Sequence, residues 1–202
     1  MAEIDNNIFL KTGQGAYKEK SSTFTSYSFS VVNLDEVKFH LMELKEKYPD
    51  ANHICYAYRL LAGNVVNDFS TDAGEPKGSS GIPILNHLKR YKLINSAVFV
   101  VRYFGGTKLG IPGLIYAYSE ATLDCLNNSK IGPWIKMDAF SIETNYESLG
   151  IVEKIIRDFS GENICKDYSD KIQISLDIIE EDSDLFFNSF TELKNVKILK
   201  KN

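Results

Sequence analysis

Between Thr71 and Tyr118 the chain runs twice from a glycine-rich loop into a helical stretch, with one strongly apolar strand between them. The strand, AVFVVRYF from Ala97 to Phe104, is apolar at almost every position and therefore needs cover on both faces. The helical stretches near Ile82 to Tyr91 and Gly113 to Asn127 offer some of that cover. This part of the chain must layer helices on a sheet, which excludes an all-helical bundle.

Upstream, Leu34, Val37, Leu41, Leu44 and Tyr48 recur at three- and four-residue spacing and predict an amphipathic helix. Asn33 with Glu36 supplies a capping box at its start, and Pro49 ends it. Ile8 to Leu10, Ala16 to Glu19 and Thr23 to Val32 read as short antiparallel strands, broken by Gly13 and Gly15. His53 to Leu61 and Val65 to Phe69 flank Gly63-Asn64, a two-residue hairpin signal.

Ser129 to Ile135 contains the breaker pair Gly132-Pro133 and reads as a linker. Beyond it the pattern is strand (Met137 to Thr144), helix (Tyr146 to Phe159), strand (Asn163 to Tyr168), strand (Lys171 to Ile179), helix (Ser183 to Lys194), strand (Val196 to Lys200). That βαββαβ order is the ferredoxin-like plan. The expected fold class is α+β, with an α/β domain over residues 1–131 and a ferredoxin-like domain over 136–202.

With 23 basic and 27 acidic residues in 202, the net charge is 23 − 27 = −4, and it divides unevenly. Residues 1–133 carry 14 − 13 = +1 and residues 134–202 carry 9 − 14 = −5. Contacts to a polyanion therefore fall to the first half, where Lys77, Lys89, Arg90, Lys92, Arg102 and Lys108 are the candidates. Solvated surface charge is the alternative reading of the same residues. Cys55, Cys125 and Cys165 are scattered in apolar surroundings and read as reduced, buried thiols. No aliphatic-aromatic run is longer than Ala97 to Val101, far short of a membrane span, and MAEIDNNIFLKTG lacks the pattern of a secretory signal. No membrane association and a cytoplasmic location are expected.

Both glycine-rich loops precede helix starts, where free backbone N–H groups and the helix dipole favour an anion. A nucleotide-hydrolysing loop is not present: Gly105 and Gly110 have the right separation, but Ile111 stands where the lysine belongs. Gly78-Ser79-Ser80-Gly81 has the composition of a phosphate-holding loop; equally, Ser79 and Ser80 read as caps of the next helix. His53, His87, Asp72 and Glu75 are the residues available for a metal site, yet no tight ligand spacing occurs. No nucleophile elbow is present, and Cys125 has no evident base. No catalytic residue, metal or cofactor is expected.

Four segments together, KSSTF (Lys20 to Phe24), NHICYAYRL (Asn52 to Leu60), DAGEPKGSSGIPIL (Asp72 to Leu85) and VRYFGGTKLGIPGLIYAYSEA (Val101 to Ala121), resemble the IMPACT family, in particular its bacterial two-domain YigZ-type members. The resemblance implies an N-terminal domain like domain IV of elongation factor G, of ribosomal-protein-like fold, and a C-terminal domain similar to its domain V. In eukaryotic relatives the N-terminal-type domain binds the ribosome-associated activator of the amino-acid-starvation kinase and restrains inhibition of translation initiation. His53, Asp72, Gly74, Glu75, Pro76, Gly78 and Gly81 match the family's motif positions, as do Phe104, Gly105, Gly106, Leu109, Gly110 and Gly113. Ala73, Ser79-Ser80, Ile111-Pro112 and Tyr116 depart from it.

The function this implies is a non-enzymatic, translation-associated regulator that binds RNA, the ribosome or a ribosome-associated protein through the loop face. Lys77, Ser79, Ser80, Arg102, Tyr103, Lys108 and Tyr116 are the expected ligand or nucleic-acid contacts. Two readings of Arg102 stand: it binds phosphate beside a stacking ring, or it pairs with Glu75 or Asp72 to lock the loops. The rival function is a metal- or phosphate-dependent hydrolase using Asp72, Glu75 and His53 in the same groove, and a third is a protein-interaction module without nucleic-acid contact.

Overall fold

A computed structural model describes residues 6–201, so residues 1–5 of the N-terminal stretch lie outside it. The chain divides into two compact units, the first ending at Trp134 and the second beginning at Ile135.

The first unit is built on a five-stranded antiparallel sheet. Its strands are β2 (Gln14–Glu19), β3 (Ser22–Ser30), β4 (His53–Ala62), β5 (Val65–Thr71) and β6 (Ser96–Tyr103), in the order β2-β3-β6-β4-β5. β6 lies at the centre because it can be buried on both sides, and its side chains alternate between two cores. Val98 and Val100 join Phe24, Cys55 and Ala57 beneath α2 (Gly81–Arg90) and α3 (Gly110–Asn127). Ala97, Phe99 and Val101 join Tyr27 and Leu60 beneath α1 (Leu34–Lys47), which contributes Val37 and Leu44.

Asn33 and Glu36 cap α1 with one shift from the expected box: the Glu36 N–H donates to Asn33 Oδ1 at 2.9 Å, while Glu36 Oε2 accepts at 2.9 Å from the N–H of Val32, one residue before the cap. β4 and β5 close through Gly63, whose φ of +59° lets Ala62 pair directly with Val65. The expected linker is different. β7 (Lys130–Pro133) pairs with β1 (Asn7–Lys11), Asn7 opposite Pro133 and Ile8 opposite Gly132, as a separate two-stranded sheet. Pro133 is tolerated because it ends an edge strand, where no ladder donor is needed.

The second unit contains β8 (Met137–Thr144), α4 (Leu149–Asp158), β9 (Glu162–Tyr168), β10 (Ile172–Ile179), α5 (Ser183–Asn188) and β11 (Val196–Lys200). A 3₁₀ turn, Glu180–Asp182, precedes α5. Its antiparallel sheet has the order β11-β8-β10-β9. Ile172, Ile174, Leu176 and Ile178 put one face of β10 into a core with Val152, Ile156 and Phe186. Both helices are shorter than the periodicity predicts. Asn145 Oδ1 accepts from the Ser148 N–H at 2.9 Å, a side-chain turn that delays α4. After Asn188 the hydroxyls of Ser189 and Thr191 take the carbonyls of Leu185 and Asn188, and the chain continues as tight turns instead of helix.

Cys55 and Cys125 are buried, but Cys165 is exposed. It sits on the outer strand β9, nearly all of which faces solvent.

Candidate binding groove

Asp72, at the end of β5, organises the first glycine-rich loop. Its Oδ1 accepts from the Ser80 N–H at 3.0 Å, the Ser80 hydroxyl at 2.8 Å and the Gly81 N–H at 2.9 Å, and its Oδ2 accepts from the Gly78 N–H at 2.7 Å. The start of α2 is thus an anion site filled by the chain's own carboxylate. Burial pushes the Asp72 carboxyl up, but the hydrogen bonds from Gly78, Gly81 and Ser80 outweigh it and hold it below the ordinary carboxylate value. Ser79 and Ser80 are fully buried, and Ser79 Oγ donates to the Pro76 carbonyl at 2.6 Å. Both hydroxyls serve the loop itself, and the cap they suggested in sequence is supplied by Asp72.

The loop then turns sharply through Ala73 and Gly74, at φ +46° and +91°, and delivers Glu75 inward. Arg102 Nη1 donates to Glu75 Oε1 at 2.5 Å, with the two side chains 6% and 3% exposed. Glu75 also accepts from the Tyr118 hydroxyl at 2.9 Å, and that hydroxyl in turn accepts from Cys55 Sγ at 3.2 Å. Burial pushes the Cys55 thiol up to about 11 and raises the Tyr118 phenol well above its ordinary value. Of the two sequence readings of Arg102, the lock on Glu75 is therefore present. Yet Arg102 is not fully used: Nε is buried with no partner, and the guanidinium lies 5.4 Å from the Phe24 ring centroid and 5.6 Å from that of Phe104.

The second loop closes against the sheet. Phe104 donates its N–H to Asn52 Oδ1 at 2.7 Å, and the Asn52 N–H donates to the Arg102 carbonyl at 3.0 Å. Gly105 lies so close to the β2–β3 turn that a Cβ there would sit 2.0 Å from the Ser21 carbonyl carbon. Gly106 and Gly110 take φ of +84° and +71°, which glycine adopts without strain.

Between the loops lies a groove of about 440 Å³, walled by Asn52, His53, Glu75, Pro76, Arg102, Phe104, Lys108, Leu109, Gly110, Ile111 and Leu114. The His53 ring stands at its side, with Nδ1 2.9 Å from the Ala73 carbonyl and Nε2 4.0 Å from Glu75 Oε2. Because a carbonyl can only accept, Nδ1 carries a proton, and in the neutral ring Nε2 is an acceptor facing Glu75.

Of the expected contacts, the groove gathers Arg102 and Lys108. Tyr103 follows Arg102 on a strand, so it points to the other face and packs edge-on against Tyr48, 6.4 Å between centroids. Phe104, 44% exposed, is the ring at the groove instead. Tyr116 is exposed beside Tyr17, and Lys77 is exposed on the first loop; neither walls the groove. Lys89 is engaged by Asp68 at 2.8 Å. Among the described residues no cluster of three or more His, Cys, Asp or Glu side chains is arranged to hold a metal. Asp72 spends both oxygens on the loop, and Glu75 spends one on Arg102 and Tyr118, which leaves the hydrolase reading without a free carboxylate pair. The sequence singles out no role for Asn52, Phe24 or Tyr118, although each falls within a family segment. A lone Asn at a strand start and a Tyr on an apolar helix face are the local signals they offered.

Residues 20–126 match the model of the Impact N-terminal domain. IMPACT family member YvyE of Bacillus subtilis (strain 168) is 30% identical over 180 residues, covering 88% of this chain and 82% of that protein. The chain belongs to the IMPACT family. Another IMPACT family member, YigZ of Escherichia coli (strain K12), is 27% identical over 150 residues, 74% of each chain. A crystal structure described as that of a hypothetical protein shares 22% identity and a TM-score of 0.70, covering 98% of both chains. That likeness concerns the fold alone. The matched IMPACT segment includes every residue that walls the groove.

Proposed function

We propose that this IMPACT-family chain is a translation-associated regulator without catalytic activity of its own, acting in the cytoplasm, and that it docks on the ribosome, its RNA or a ribosome-bound protein through the groove of the first unit. The observation that carries this reading is Arg102: a buried guanidinium with unused donors, between two aromatic rings, in the wall of an open groove with Lys108. Cations beside an exposed ring suit a partner with phosphates or acidic groups and flat faces. The translation setting follows from the family resemblance, whose eukaryotic members restrain inhibition of initiation. On the same resemblance we read the first unit as like domain IV of elongation factor G. The βαββαβ order and β11-β8-β10-β9 sheet of the second unit support a ferredoxin-like domain similar to domain V. Among the described residues no helix is long and apolar enough to cross a membrane.

Co-sedimentation with ribosomes from the protein's own host tests the reading. The expected result is pelleting that weakens as salt rises and in a Phe104→Ala/Lys108→Ala variant, since phosphate contacts are salt-sensitive. Absence of pelleting at low salt overturns it. Retention by ribosomes after nuclease digestion of exposed RNA assigns the contact to a protein component.

A further inference from the structure

The starts of α2 and α3 both follow a glycine-rich loop and are filled differently. At α2 the Asp72 carboxylate takes the N–H groups of Gly78, Ser80 and Gly81. At α3 there is no side-chain cap on Leu109 and no acidic residue in the first turn. Beside it, in the same groove wall, stands Arg102, 5% exposed, with Nε unpartnered and only Nη1 engaged. A buried guanidinium with idle donors is costly unless an acceptor reaches it, because each unmet donor keeps its desolvation penalty. Lys108, exposed in the groove wall, adds a second cation.

We propose that the groove is a nucleotide-sized site: the start of α3, Arg102 and Lys108 receive a phosphate, and the remaining wall receives the base. This rests on the reading of the groove as the docking face and narrows its ligand to a single nucleotide of unpaired RNA or a free nucleotide. The volume of about 440 Å³ falls in the range of small-ligand sites, roughly 300–1,000 Å³. Lys108, the helix start and the Arg102 donors that Glu75 leaves unused match a phosphate better than a single carboxylate. Phe104 offers a half-exposed ring for a base. Glu75 Oε2 is an acceptor, as is His53 Nε2, 4.0 Å away, in the neutral ring, so the site favours a base with an amino group over uracil.

The test is calorimetric titration of the full chain with inorganic phosphate, adenosine 5′-monophosphate, uridine 5′-monophosphate, a short unpaired RNA and a capped tetraglutamate peptide. Both nucleotides bind saturably, the adenosine compound more tightly than the uridine compound and inorganic phosphate more weakly than either. Tighter binding of the short RNA than of either mononucleotide identifies a strand as the source of the phosphate, and the reverse identifies a free nucleotide. Lys108→Ala weakens binding about tenfold. Ile111→Asp, at a residue 52% exposed, puts a carboxylate at the start of α3, the role that Asp72 fills at α2 from the preceding loop, and abolishes binding while the melting temperature is kept. Failure of every phosphate probe to bind, binding of tetraglutamate alone, or unchanged binding by Ile111→Asp overturns the inference. Ribosome pelleting that needs Phe104 and Lys108 without any nucleotide binding overturns this site and leaves the docking face standing. Nucleotide binding by a protein that never pellets does the reverse.

Discussion

Arg102 and Glu75 are each other's buried counter-ion, joined Nη1 to Oε1 at 2.5 Å across the two glycine-rich loops. The pair ties the end of β6 to the loop before α2, so it holds the groove's walls in register. Removing one partner leaves a charge buried without its mate, which costs about 3–5 kcal/mol. Arg102→Met and Glu75→Leu should each lower urea stability by about that amount, whereas the double variant should recover most of it. Additive losses in the double-mutant cycle would show that the two side chains are not energetically coupled.

Asp72 holds the first loop through four hydrogen bonds, and its carboxyl lies below the ordinary value. A depressed carboxyl contributes its stability above its unfolded value, about 3.9, and loses it as pH falls through the folded value. Asp72→Asn should therefore be less stable at neutral pH and show a shallower loss of stability below about pH 4 than the wild type. Parallel acid-unfolding curves for the two proteins would contradict this.

The thiols separate by burial. Cys55 and Cys125 are buried and pushed up to about 11, while Cys165 is exposed. Titration of the native protein with an aromatic disulfide reagent at pH 8 should release one fast equivalent, which Cys165→Ser removes. The other two should react only as fast as the fold opens.

Gly105 passes against the backbone of Ser21 and Ser22 with no room for a side chain. Gly105→Ala should cost about 1–3 kcal/mol by overpacking and weaken any ligand held beside Phe104. Gly106→Ala meets nothing within 4 Å, but its φ of +84° brings a smaller backbone penalty of about 1 kcal/mol. Thermal melts of the two variants give the order.

Much of the architecture is written locally. The apolar run of β6 demands cover on both faces, and Asn33 with Glu36 fixes the start of α1, so both are readable without a structure. The alternation of β10 is equally plain. Elements set by distant partners are not: Lys130–Pro133 becomes a strand only because Asn7–Lys11 lies beside it. The groove shows the same division. The pairing of Arg102 with Glu75 is one of two readings that the sequence allows, since both residues flank the loops. That Asp72 fills the helix start before α2, and that Tyr103 turns away while Phe104 turns in, depends on loop geometry and strand phase, which composition does not encode.

The most direct measurement is photo-crosslinking from the groove. A benzophenone amino acid at Pro76, exposed in the groove wall, is compared with one at Met42 on α1, both introduced into the full chain and exposed to ribosomes from its own host at low salt. Crosslinks to ribosomal RNA or a ribosome-bound protein are expected from position 76, lost as salt rises, and none from position 42. Crosslinks from position 42 alone, or from neither position under conditions where the protein pellets with ribosomes, would contradict the groove as the docking face.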